Sequence, residues 1–257
     1  MLLHNQTTPV PGGSAVKTAW VYNSDATNST FVTNFYTGIT TVYPQVGSYM
    51  LKQLESAGSA TYASYSNNLS TTWNQYTVEG WALCSRSGTD LYGVRLNIGS
   101  PASGNYAYVS IIPYHTTPLD VLVSFTIFQG GTQVWTSSSV IPGDDVILSN
   151  NWFYYTMVKA SPSLRFFMIN GVTIWTDTTT TLNETFTTTT GTALALGRAT
   201  PFYPTTTTLW DMTRISNIAR YSQNQTFTPP TTMFTNDANT WFLSSFENTW
   251  TPAPSPT

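Results

Sequence analysis

Short runs of β-branched and aromatic residues recur along this chain, each cut off by Gly, Pro, Asn or Ser. The clearest are Tyr76–Cys84, Leu91–Ile98, Tyr106–Ile112, Val121–Phe128, Trp152–Lys159, Leu164–Ile169, Val172–Trp175, Ala193–Leu196, Leu209–Ile215 and Thr240–Phe246. Side chains of this kind stiffen the backbone toward the extended region and pack well on a pleated surface. In Leu91–Ile98 the alternation is strict. Tyr92, Val94, Leu96 and Ile98 fall on one face, with Gly93, Arg95 and Asn97 on the other, the period of a half-buried strand. Asn170-Gly171 separates two such runs and predicts a two-residue hairpin, because a type I′ turn needs two residues that tolerate positive φ. The amphipathic helices that an α/β fold places between its strands have no counterpart here. The pattern predicts an all-β fold with antiparallel sheets.

Charge narrows the function. Only 8% of the 257 residues are charged, 40% are hydrophobic and 14% aromatic, and the net charge is −3. The chain is too apolar for disorder. It has no basic run, which excludes a nucleic-acid site built on phosphate neutralisation. The single Cys84 excludes a disulfide framework and a Cys-based zinc site. No window approaches the roughly 18 apolar residues of a membrane helix, so no membrane span is expected. Met1–Gln6 lacks the basic and apolar regions of a secretory signal, although the Thr, Ser, Asn and aromatic content suits an outward-facing β-protein. No linker is visible inside residues 19–248, which read as one domain. Residues 1–18, broken by Pro9, Pro11, Gly12 and Gly13, read as an extended N-terminal arm, and 249–257 as a Pro-rich C-terminal tail.

The C-terminal third runs Leu209-Trp210-Asp211-Met212-Thr213-Arg214-Ile215-Ser216-Asn217-Ile218-Ala219-Arg220-Tyr221, then Phe227-Thr228-Pro229-Pro230, then Phe234-Thr235-Asn236-Asp237-Ala238-Asn239-Thr240-Trp241-Phe242-Leu243. Upstream stand Tyr76-Thr77-Val78-Glu79-Gly80-Trp81, and Trp152-Phe153-Tyr154-Tyr155 leading to Phe167-Met168-Ile169-Asn170-Gly171. In this order the motifs resemble the concanavalin A-like, laminin-G-like jelly-roll superfamily. Met212 stands where that family carries Glu, and Thr205–Thr208 where it carries Gly. The resemblance spans roughly residues 45–246 and implies a two-sheet antiparallel jelly-roll sandwich with its first and last strands adjacent.

Reacting groups are scarce. The Glu-x-Asp-x-x-Glu strand of the family's glucanases, which sets alternate carboxylates on one sheet face for retaining hydrolysis, is missing. The only adjacent acids are Asp144-Asp145, beside Pro142-Gly143 in a turn-like stretch. A Ser-His-Asp triad would have to use His4 or His115, and no G-x-S-x-G elbow accompanies them. The chain is therefore expected not to be an enzyme. Calcium, the family's common ion, would find its best ligands in Asp144, Asp145 and Asp237, where turn capping is the default role of an Asp. Ligand-binding candidates are Tyr114, His115, Phe202 and Tyr203, aromatic groups in Pro-flanked stretches of the kind that stack on sugars. Most aromatics are expected in the core.

A start without a leader, joined to an exterior composition, leads to a first expectation of a non-enzymatic structural or decoration protein of a virus particle. Its partners would be the particle's protein subunits, with host glycans as a contact, and its place the virion surface or the extracellular space. The alternative is a carbohydrate-binding or adhesion module of a cellular surface protein. A divergent glycoside hydrolase comes third.

Overall fold

A computed structural model of the chain describes residues 5–8, 16–22, 29–32, 35–36, 41–48, 50–54, 62–66, 70–84, 94–100, 104–114, 120–142, 151–178, 181–182, 184–187, 192–198, 207–244 and 246. Among them are strands and no helix. In chain order they are β1 (Asn5–Thr8), β2 (Val16–Tyr22), β3 (Ser29–Val32), β4 (Phe35–Tyr36), β5 (Thr41–Val42), β6 (Met50–Leu54), β7 (Tyr62–Ser66), β8 (Ser70–Trp73), β9 (Tyr76–Cys84) and β10 (Val94–Ser100). There follow β11 (Asn105–Tyr114), β12 (Asp120–Gln129), β13 (Thr132–Pro142), β14 (Phe153–Ser161), β15 (Leu164–Ile169), β16 (Val172–Asp177), β17 (Glu184–Thr187), β18 (Thr192–Arg198), β19 (Thr207–Ser216) and β20 (Thr240–Ser244).

The first sheet has the order β1-β2-β7-β18-β10-β11-β12-β13. The second has the order β16-β15-β14-β9-β19-β6-β3, with β20 also paired to β19. Two ribbons, β17-β8 and β4-β5, complete the set. Every described pair is antiparallel. All ten runs picked out by composition coincide with or overlap a strand. Two further strands, β1 and β2, fall in or across the stretch read as an arm, where Val16, Thr18, Trp20 and Tyr22 supply β-formers despite the intervening Pro and Gly. Strand β13, dominated by Thr and Ser, is ordered by its long register with β12. The tail, 249–257, lies outside the described residues.

Alternation builds the core. Leu96 and Ile98 of β10, Ala107, Val109 and Ile111 of β11, and Val123, Phe125 and Ile127 of β12 all point inward. They join one apolar cluster with Val78 and Ala82 of β9, Phe153, Tyr155 and Met157 of β14, Phe167 of β15, and Trp210 and Ile215 of β19. The two large sheets thus share a core, each fully buried large side chain contributing roughly 1.5–3 kcal/mol. Phe153–Lys159 is buried on consecutive residues, without the expected alternation. Residues 217–239 cause this by covering the second sheet's other face. Phe227 and Phe234 pack on Trp81, Tyr154 and Met212, while Ala219 and Tyr221 pack on Val158, Phe166 and Met168.

Two glycines set this cover. Asn170 and Gly171 turn β15 into β16 with φ of 50° and 79°, as the hairpin signal requires. A Cβ on Gly171 would lie 1.8 Å from the Phe227 carbonyl oxygen, and the Phe227 N–H donates to the Gly171 carbonyl. Across the sheet, a bulge at Met212 (φ 49°) pushes its carbonyl to 2.4 Å from where a Gly80 Cβ would stand. The bulge needs a glycine opposite it.

Candidate functional site

With one face of the second sheet covered by 217–239, the outer face of the first carries a set of half-buried and exposed side chains around the buried Ser110 and Thr126. Residues between the inward-pointing ones form it: Arg95 and Asn97 on β10, Tyr106 and Tyr108 on β11, Ser124 and Phe128 on β12, Gln133 and Thr136 on β13. Register brings the aromatics together, since Tyr106 lies opposite Phe128 and Tyr108 opposite Asn97. The Tyr106 and Phe128 rings stack with centroids 4.5 Å apart and planes 4° apart. Tyr108 stacks on Phe128 at 6.3 Å, and the Arg95 guanidinium sits 3.8 Å from the Tyr108 ring centroid. Arg95, Tyr108, Phe128 and Tyr106 therefore make a continuous stacked row with a cation at one end. All four are half-buried. Around them Thr126 and Thr136 share a hydrogen bond of 2.9 Å. Burial, followed by the neighbouring Tyr108, raises the pKa of the Tyr106 phenol, so it stays a neutral donor near neutrality. The half-exposed rims of such a stack, with amides and hydroxyls beside them, suit the apolar patches and hydroxyls of a sugar.

A second concavity of about 370 Å³ lies at one end of the sheets, lined by Thr72, Trp73, Asn74, Gln75, Ser161, Pro162 and Asn217. It offers neutral amides and hydroxyls, but its only aromatic, Trp73, is 8% exposed and leaves no open ring face. The sheet face is the better receptor for a stacked ligand.

The described carboxylates are committed elsewhere. Glu79 Oε1 accepts from Arg214 Nε at 2.8 Å, and its Oε2 from the hydroxyls of Tyr154 at 2.7 Å and Tyr221 at 2.6 Å. Glu184 accepts from Lys159 and, at 2.7 Å, from Arg165. Asp211 Oδ2 accepts the Val46 N–H at 2.8 Å. Among the described residues no three His, Cys, Asp or Glu side chains gather as a metal site would need.

Of the calcium candidates, Asp144 and Asp145 lie outside the described residues. Asp237 accepts from Arg220 Nη2 at 2.7 and 2.8 Å, from the Asn239 N–H at 3.0 Å and from Thr240 Oγ1 at 2.9 Å. That geometry is a capped turn closed by an ion pair, and the cation present is Arg220. Chiefly through Arg220, the carboxyl is pulled from 3.8 to about 2. A carboxyl depressed on folding is protonated first in the unfolded chain, so its contribution is complete above about pH 4 and disappears as pH falls toward about 2. The side chain is 41% exposed, and solvent screening keeps the effect below about 1 kcal/mol. Asp237→Asn is expected to flatten the acid limb of stability in that window in urea melts; an unchanged limb would contradict the assignment.

Of the four ligand candidates, only Tyr114 falls among the described residues. Tyr114 ends β11, paired with Asp120; His115, Phe202 and Tyr203 lie outside the described residues. Tyr106, Tyr108 and Phe128 were missed because each sits in an apolar strand run, where an aromatic is expected inside; Arg95 falls on the polar face of its run, where a charge is ordinary. The signal was present: Tyr106 and Tyr108 share the parity opposite to Ala107 and Val109, and Arg95 and Asn97 the parity opposite to Leu96.

No family model matches the chain and no curated protein does. Solved structures do match. The ligand-binding domain of botulinum neurotoxin serotype D, in complex with N-acetylneuraminic acid, superposes with a TM-score of 0.51 and 14% identity over 86% of this chain and 48% of that one. The binding domain of botulinum neurotoxin DC, in complex with rat synaptotagmin II, gives 0.51 and 11% identity over 85% of this chain and 49% of that one. The chain thus spans about half the length of these structures, and at such identity the likeness is one of fold.

Proposed function

We propose that this chain is a non-catalytic glycan-binding module of the concanavalin A-like jelly-roll type, contacting saccharide through the outer face of its first sheet. The observation that carries this is the row Arg95, Tyr108, Phe128 and Tyr106, half-exposed on a face whose inner side is already a complete core. Aromatic pairs of this size gain only about 0.5–1.5 kcal/mol from each other; their partial exposure leaves the outer rims of the stack for a ligand.

The jelly-roll assignment draws on the shared core of two antiparallel sheets and on the family-like motifs, whose Glu79, Arg214, Tyr221, Phe227 and Asp237 lock one loop onto one sheet. It also draws on the likeness to two binding domains solved with a sialic acid and a protein receptor. Commitment of Glu79, Glu184 and Asp237 to arginine and lysine partners supports a binding role over hydrolysis. An extracellular or surface location follows from this reading. A place in a virus particle draws on the head and tail, of which only β1 and β2 are described, so the glycan reading has the stronger support.

Screening the chain on a glycan array, followed by titration of the hits, tests the proposal. Tyr108→Ala and Phe128→Ala are expected to weaken the best hit by roughly tenfold while shifting stability by about 1 kcal/mol or less. An array without hits, or variants that bind like the parent, would refute it.

A further inference from the structure

We propose that the ligand of this face is an acidic saccharide, a pyranose bearing a carboxylate, held by Arg95; this rests on the glycan-binding reading above and narrows it. Arg95 differs from four other cations of the described residues and from Lys52, which also has a partner. Lys159 and Arg165 are bound to Glu184, Arg214 to Glu79 and Arg220 to Asp237. Arg95 has no carboxylate partner and no hydrogen bond among the described residues; its recorded contact is the Tyr108 ring. Its Nε is buried without an acceptor. A half-buried guanidinium held this way has lost hydration without gaining an anion, a cost that functional sites bear and structural ones avoid.

The Tyr108 ring fixes the guanidinium plane by stacking on it, which leaves its rim for hydrogen bonding. Arg95 is only half-buried, and of its guanidinium nitrogens Nε alone is both buried and without a partner. Two parallel N–H donors match the two oxygens of a carboxylate, giving a charge-assisted bidentate contact. A sugar lying across the exposed rims of Tyr108 and Phe128 would bring a ring carboxylate to the Arg95 end of the row. Asn97, opposite Tyr108 in register, is placed to meet a neighbouring hydroxyl. The chemistry is shared by sialic and uronic acids, and the probes separate them.

Binding of 3′-sialyllactose against lactose, and of trigalacturonate against its methyl ester, decides the matter by calorimetry with the full chain. The acidic member of at least one pair is expected to bind roughly tenfold or more tighter, with affinity falling as salt rises. Arg95→Met should bind both members of that pair alike. Arg95→Lys should keep part of the preference, since it keeps the charge and loses the fork. Preference in the parent confined to one pair names the acid. Equal binding of acidic and neutral members by the parent, or full preference in Arg95→Met, would overturn this inference and leave glycan binding standing. Failure of the parent to bind any saccharide would overturn both. If Arg95→Met does not fold, the salt dependence of the parent and the Arg95→Lys variant carry the same decision.

Discussion

Glu184→Ala is expected to lower the unfolding free energy by about 3–5 kcal/mol, read from guanidinium titration. Glu184 and Lys159 are fully buried and Arg165 is 1% exposed. One carboxylate serves both cations: Oε2 takes Lys159 and Oε1 takes Arg165 Nε. Lys159 also donates to the Trp73 carbonyl at 3.0 Å, and Arg165 to the Leu182 carbonyl at 2.8 Å. With the carboxylate removed, Asp177, 3.8 Å from Arg165, is left as the acid facing two buried cations. The penalty comes from this stranded charge; the intact cluster itself contributes little net stability. Two controls follow. Glu184→Gln keeps the volume and an acceptor and should cost less than Glu184→Ala. Replacing Lys159, Arg165 and Glu184 together by Met, Met and Leu should recover much of the loss. A Glu184→Ala chain within about 1 kcal/mol of the parent would refute the account.

Glu79→Ala should be about as damaging, at roughly 3–5 kcal/mol, but its effect reaches another part of the molecule. Glu79 lies on central β9 and holds Arg214 of β19, Tyr154 of β14 and Tyr221 of the covering loop. Tyr221 stacks on Phe227 at 4.3 Å, and the Trp81 indole N–H donates to the Pro230 carbonyl at 3.1 Å. Loss of the carboxylate strands Arg214 and two phenols beneath 217–239, so this loop is expected to open before the core unfolds. Hydrogen exchange should speed up across 217–239 while β10–β12 stay protected. Burial, and then the Glu79 charge, raise both the Tyr154 and Tyr221 phenols; removing the charge should bring their titration part of the way back. Uniform loss of protection throughout the chain would contradict a role centred on the loop.

Periodicity made the strands legible wherever β-branched and aromatic residues dominate, as in β9 and β15, whose limits coincide with the expected runs. It failed for β13 and β17, where Thr and Ser carry no apolar signal and long-range pairing decides the conformation. Met212 is a subtler case. Its identity breaks the family-like pattern, and nothing local announces its left-handed φ; the bulge follows from Gly80 opposite it and from Phe234 N–H donating to its sulfur at 3.2 Å. The candidate site was hidden for a related reason. Parity shows which residues share a face, but which face meets solvent depends on 217–239 sealing the second sheet, and only the assembled fold reveals that.

The position of β9 also dictates when this molecule can form. Its hydrogen-bonding neighbours are β14 and β19, and β19 is in turn flanked by β6. β14 follows β9 in the chain and β3 precedes β6, but β19, the strand that joins β9 to β6, comes later than all of them, so the centre of this sheet cannot close before residues 207–216 are made. Joining the two halves of this sheet is therefore a non-local and slow event, and until then one edge of β9 and one of β6 stay unpaired. Soluble yield is therefore expected to respond to chaperone supply, which covers such edges until β19 arrives.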